Sequence, residues 1–367
     1  MRSPILSLTL TLIMISCSSP PEVRETPLDW APPEAAEVVM QGPAKFGGCA
    51  AGDLDGFPGD EIIAVCGDGS VWAARFDDGG WQSGVIDKLP GEAIGVATLP
   101  GLKGQTGFVT VGKLRGDEDS PGEGVAYLFT RPTNEEGSWL EGWEREVLLQ
   151  DSALVHAVAA DKQAIYLAGY AKGVHRFSPA KGGLKHQVLG HLPGRAKGLA
   201  LGFGGLVVAC ASGDLVSLVP AGDPLGPWKT RVLWRFSDAL ARLDANESQV
   251  AVSCNDGGLY CYSEGFRGDI LFFRSPDRLR GALFLEQHDL GIPAPWFLAT
   301  ASYDGRVSIL PRIGANKAAV HVQADDDRLH HLCSARIERG EGTFTPTLVT
   351  CGYSGKVMAL PFMNQDR

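Results

Sequence analysis

The chain has no excess of basic residues, no apolar run long enough to cross a bilayer and no long stretch of helical periodicity. Its 33 Lys and Arg stand against 43 Asp and Glu, a formal net charge of -10. Without a basic stripe, that balance excludes nucleic acid as the main partner. The one sustained apolar stretch, Ile5 to Ile15, is too short for a folded transmembrane helix. A nucleophile elbow, a phosphate-binding loop and a helical zinc-type His pair are all missing, so the chemistries that depend on them have no footing. The eight Trp residues follow no period, which argues against a quinone-dependent enzyme built on repeated Trp motifs.

Glycine is abundant instead, at 47 residues, and β-branched residues fall in short runs. A pattern of apolar run, small-residue turn and second short run recurs seven times. Its turns include Gly67-Asp68-Gly69, Tyr170-Ala171-Lys172-Gly173, Ala211-Ser212-Gly213, Asn255-Asp256-Gly257, Tyr303-Asp304-Gly305 and Tyr353-Ser354-Gly355. The seventh copy, between Phe108 and Arg131, carries an acidic insert from Lys113 to Gly124. Each turn copy is followed by a further strand such as Val85-Ile86, Val188-Leu189 or Val232-Leu233. Self-similar units of four short strands are the signature of an all-β propeller, here with seven four-stranded antiparallel blades. The last unit runs out of chain before its fourth strand. Glu37-Val38-Val39-Met40 fits the outer-strand pattern, so the N-terminal strand is expected to complete the last blade and remove a free sheet edge.

The N-terminus reads as targeting sequence. Arg2, the apolar Ile5 to Ile15 and then Ser16-Cys17-Ser18 resemble a bacterial lipoprotein signal, with Cys17 as lipid acceptor; Met14 stands where Leu is usual. The alternative is an ordinary secretory signal with an incidental Cys. The resemblance implies residues 1–16 as signal peptide, 17–35 as a lipidated, disordered tether and 36–367 as the propeller. It also implies a membrane attachment through lipid alone, in the cell envelope. Ser18 after Cys17 points to the outer membrane.

Asp53-Leu54-Asp55-Gly56-Phe57-Pro58-Gly59-Asp60-Glu61 resembles a single FG-GAP or VCBS repeat. That resemblance implies calcium on Asp53, Asp55 and Glu61, with Phe57 replacing one carboxylate. The alternative is a loop held by side chain-to-backbone turns. Phe297 to Val307 resembles one WD-repeat blade, although the Trp-Asp dipeptide is absent from the chain.

Cysteines pair by symmetry. Cys49 and Cys66 are equidistant from Phe57-Pro58, and Cys333 and Cys351 from Gly342; Cys254 and Cys261 straddle Gly257-Gly258. Hairpins would oppose them within disulfide reach, each bridge contributing roughly 2–4 kcal/mol in an exported protein. The alternative is that Cys simply fills tight strands, since Cys66, Cys210, Cys254 and Cys351 occupy one repeat position.

The functional candidates are the first residues of the inner strands, which ring the central channel. Five of these strands enter with polar groups, six residues in all: His156, Lys197, Arg242, Arg280, His330 and His331. Such a mouth suits an anionic or polyhydroxylated ligand. The competing reading pairs these cations with Asp238, Asp277 and Asp325 to Asp327. His330 and His331 are adjacent on a strand and are expected to face opposite ways. The sequence therefore reads as a monomeric, non-catalytic platform binding a protein partner or glycan at its upper face. The rival is a lactonase- or polysaccharide-lyase-like enzyme, with His156, His330 or His331 as base and Arg242 or Arg280 steadying an oxyanion. The insert, with Asp117, Glu118, Asp119 and Glu123, is either a partner-contact loop or a solvated acidic one.

Overall fold

A computed structural model describes residues 30–364, apart from 102–105, 115–121, 132–137, 264–268, 286–291, 293–295, 314–317 and 341–342. Cys17, the signal segment, most of the tether and the tip of the acidic insert lie outside the described residues. Among those described, no helix is long and apolar enough to cross a membrane.

Seven four-stranded antiparallel sheets follow one another along the chain. Their inner strands are Phe46–Gly52, Gly91–Thr98, Val155–Ala160, Ala196–Gly202, Leu240–Ala245, Leu283–Phe284 and Leu329–Glu338. These define blades 1 to 7. The second strand of a blade is largely apolar and buried, as in Glu61–Cys66, where every residue, the Glu61 carboxylate included, is buried. Outer strands are largely exposed, as in Glu144–Asp151, where no residue is fully buried. A strand between two sheets must be apolar on both faces, and an outer strand needs only one. The core is a set of layers between neighbouring blades. One of them joins Phe46, Ile62 and Cys66 of blade 1 to Ala335, Ile337 and Val349 of blade 7.

The turn between second and third strands requires a left-handed residue. Gly69, Gly213, Gly257, Gly305 and Gly355 supply it, with φ from 75° to 93°. A Cβ at Gly305 would lie 2.1 Å from the carbonyl oxygen of Asp325. Blade 3 places Lys172 there, at φ 67°, a conformation an L side chain adopts only at a cost.

Ring closure is as the sequence leads one to expect. Glu37–Gln41 pairs antiparallel with Lys356–Pro361 as the outer strand of blade 7. Glu37 is clamped there by Arg339 (2.9 and 2.6 Å) and by Trp81 Nε1 (3.1 Å), so it ties blade 7 to blade 1. Trp30–Ala31 pairs with Met363–Asn364, so part of the stretch assigned to the tether is held against the C-terminal end of the propeller.

The expected hairpin disulfides are not formed. Cys49 lies opposite Ala64 and Cys66 opposite Phe46. Cys333 lies opposite Val349, and Cys351 opposite His331. Both hairpins turn about one residue earlier than the symmetry argument assumed, which slips the register by two and separates each pair. Cys261 faces Ala251, while Cys254 ends its strand at the turn. All seven described cysteines are free thiols.

Candidate functional site

Each inner strand enters its blade through a one-residue irregularity. The pairing register jumps between Phe46 and Gly48, Ala93 and Gly95, Val155 and Ala157, Ala196 and Gly198, Leu240 and Leu243, and Leu329 and His331. In blade 6 the same extra residue falls between the Leu279–Ser302 bridge and the Leu283–Ala299 pair. A bulge leaves one residue unpaired and re-aims its side chain. The residues at these bulges are Gly47, Ile94, His156, Lys197, Ala241-Arg242, Arg280 and His330, so the polar candidates coincide with a structural device repeated around the ring.

The bulge residues reach across to neighbouring blades. His330 Nδ1 donates to Gly47 O at 2.9 Å. Arg242 Nη1 donates to Lys197 O at 3.2 Å. Arg280 Nη1 donates to Asn255 Oδ1 at 2.7 Å, and Lys197 donates to the Tyr170 hydroxyl. His331, the first regularly paired residue after its bulge, sits with Nδ1 3.7 Å from Cys49 Sγ. The two adjacent histidines thus engage different groups, as strand alternation predicts, although the bulge rather than the pleat sets His330.

Electrostatically the cluster is one-sided. Burial, and then the Arg242 charge, push all three histidines down: His330 to about 3, and His156 and His331 well below their usual value. Burial lowers Arg242 to about 10. Among the described residues Lys197, Arg242 and Arg280 make no ion pair. Arg242 Nη2, Arg280 Nε and His156 Nδ1 are buried without a hydrogen-bond partner. Among the described residues none of the link aspartates pairs with these cations. Asp325 takes Ser354 Oγ and Lys356, Asp327 takes Arg328, and Asp238 and Asp277 cap their own loops.

Above this ring lies a layer that sequence reasoning missed. In six blades the first turn residue donates its backbone N–H, at 2.8–2.9 Å, to the carbonyl of the link entering the inner strand. That bond pins Tyr170, Tyr303 and Tyr353 over the mouth. Their rings carry cations: Arg195 (5.0 Å) and Lys197 (4.7 Å) over Tyr170, Arg280 over Tyr303 (4.7 Å), and Arg328 over Tyr353 (4.2 Å). Cation–π contacts of this kind hold positive charge in place without neutralising it. The detectable signal was an aromatic at the same turn position in three repeats.

Below the ring runs a channel of about 490 Å³, lined by all seven inner strands and reached by Arg242, His331, Cys49 and Cys333. A larger cleft of about 610 Å³ opens where blades 1 and 7 meet, at the other end of the strands. It holds Asp55 and Glu61, which with Asp53 form a group in which one carboxylate oxygen from each lies within 4.8 Å of the other two. Asp53 and Asp55 accept from the backbone of Gly56 and Phe57, and Arg75 stands 3.4 Å from Asp55. Burial, then Asp55, raise Glu61 to about 8. The donor set suits a hard cation, yet the turn bonds and Arg75 already satisfy much of it.

No protein-family model and no curated protein matches the chain significantly. Solved structures do: the WD40 β-propeller domain of Doa1 superposes with a TM-score of 0.62 at 12% identity, over 92% of this chain and 97% of that one. A likeness at that identity establishes the fold alone. The protein is a seven-bladed β-propeller.

Proposed function

We propose that this protein is a lipid-anchored, extracytoplasmic propeller whose upper mouth binds an acidic segment of a protein partner or an acidic glycan, without catalysis. The observation that carries the reading is the set of unneutralised cations, Lys197, Arg242 and Arg280, beneath the cation-bearing tyrosines. Guanidinium forks with free N–H groups in a partly dehydrated mouth are suited to carboxylate, sulfate or phosphate. The tyrosine faces suit the flat surfaces of sugars or peptide side chains. The anchor rests on the Ile5 to Ile15 apolar run and Cys17, and it places the protein in the bacterial envelope, at the outer membrane.

The hydrolase or lyase alternative is weaker on chemical grounds. A general base works best with a pKa near the operating pH, and burial beside Arg242 makes the three histidines poor proton acceptors. A thermal-shift panel of acidic oligosaccharides, acidic peptides, sugar lactones and phosphate compounds tests the proposal. The expected result is a saturable rise with an anionic class, abolished in Arg280→Ala. Turnover of a lactone or polysaccharide that vanishes in His156→Ala would favour the enzyme instead.

A further inference from the structure

We propose that Cys49 and Cys333 form a disulfide that joins the inner strands of blades 1 and 7 and closes the ring covalently. Their sulfurs lie 3.6 Å apart although the residues are 284 positions apart in the chain. This is the seam where the two ends of the propeller meet. Among the described residues the rest of the seam is held by non-covalent contacts, among them the Glu37–Gln41 strand, the Glu37 clamp and the shared apolar layer. The approach is fixed by the inner strands themselves, which come together where His330 bonds Gly47 O at 2.9 Å. Sulfurs in van der Waals contact need a closing movement of roughly 1.5 Å to reach bonding distance, within the range of side-chain rotation.

The surroundings set an order of events. Cys49 is fully buried, whereas Cys333 is half-buried, and both line the channel. An external disulfide of the glutathione or protein-dithiol class therefore meets Cys333 first. The Cys333 thiolate attacks one of its sulfurs, the external S–S bond breaks and one half leaves as thiolate. Cys49 then attacks Cys333 Sγ and expels the second half. Its proton passes to the departing thiolate as the Cys49–Cys333 bond forms. Two protein thiols are oxidised, one external disulfide is reduced, and two external thiols carry away the protons. Cys351 is the rival partner for Cys49. It is buried, bonds to Phe46 O at 3.8 Å and does not line the channel.

The test takes the full chain, purified with reductant and then exposed to oxidised glutathione. The expected product has lost two hydrogens by intact mass, yields one cross-linked peptide pair containing Cys49 and Cys333, and melts about 5 °C higher, as closing a long loop predicts. Cys333→Ser and Cys49→Ser each abolish the link, and Cys351→Ser leaves it unchanged. Cys49 and Cys333 both still free after oxidation, a glutathione adduct that persists on Cys333, or a Cys49–Cys351 link would each overturn the proposal. In the cell the bond requires an oxidising compartment, so it rests there on the export reading. A chain taken from native membranes with thiols trapped at lysis separates the two: free thiols there, with efficient bonding in vitro, would count against export and not against the geometry.

Discussion

Replacing Arg242 with methionine should stabilise the ligand-free protein while destroying its response to anions. The half-buried Arg242 lines the channel with its Nη2 buried and unpartnered, and burial takes its pKa from 12.5 to about 10. A base held below its unfolded value penalises the folded state in full at every pH below the folded pKa. At neutral pH the penalty is therefore roughly 3 kcal/mol. Methionine removes that charge and fills similar volume, but it also loses the 3.2 Å bond to Lys197 O, worth about 1 kcal/mol. The net gain is roughly 2 kcal/mol. With an unfolding entropy of roughly 2.1 cal/mol/K per residue, that corresponds to a Tm about 3 °C higher for a propeller of this size. Calorimetry at pH 7, with and without an acidic oligosaccharide, measures both effects. A variant that keeps its fold but melts several degrees lower would show that Arg242 is already compensated, and the argument for an unneutralised mouth would fail.

Three further outcomes follow from particular contacts. Lys172→Gly relieves the positive φ of 67° and should stabilise by about 0.5–1 kcal/mol in denaturant titration. Glu61, raised from 4.5 to about 8, leaves the folded state binding more protons than the unfolded chain, so wild-type stability falls as pH rises from about 5 to 8, by at most about 5 kcal/mol. Glu61→Gln should flatten that fall in a Tm-versus-pH series, and a slope unchanged by the substitution contradicts the assignment. Glu37 is pushed up by burial but held below the usual carboxylate range by Arg339 and Trp81. Glu37→Gln should cost about 1 kcal/mol at pH 7, with the difference from wild type closing as acid protonates the native carboxyl.

The parts of this molecule legible in its sequence are those that repeat. The left-handed glycines and apolar second strands recur because every blade solves the same packing problem, so seven units and the N-terminal closing strand could be counted. The ring residues could be aligned for the same reason. The bulge could not be seen, because one unpaired residue leaves no mark on composition. The cysteines were misread through a turn centred one residue away from the symmetric guess, and a side chain's partner changes with register. The Cys49–Cys333 approach was beyond reach, since it depends on ring closure between distant segments. Tyr170, Tyr303 and Tyr353 stood in the quoted turns, but their position over the mouth follows from the backbone bond to the preceding link, which only the folded blade reveals.

The most direct test is hydrogen-exchange mapping of the protein with its partner, captured from native membranes. The account predicts protection confined to the links and turns around Lys197, Arg242, Arg280, Tyr303 and Tyr353, lost in Arg280→Ala. Protection on the outer strands or at the Asp55–Glu61 cleft, with the mouth unchanged, would contradict it.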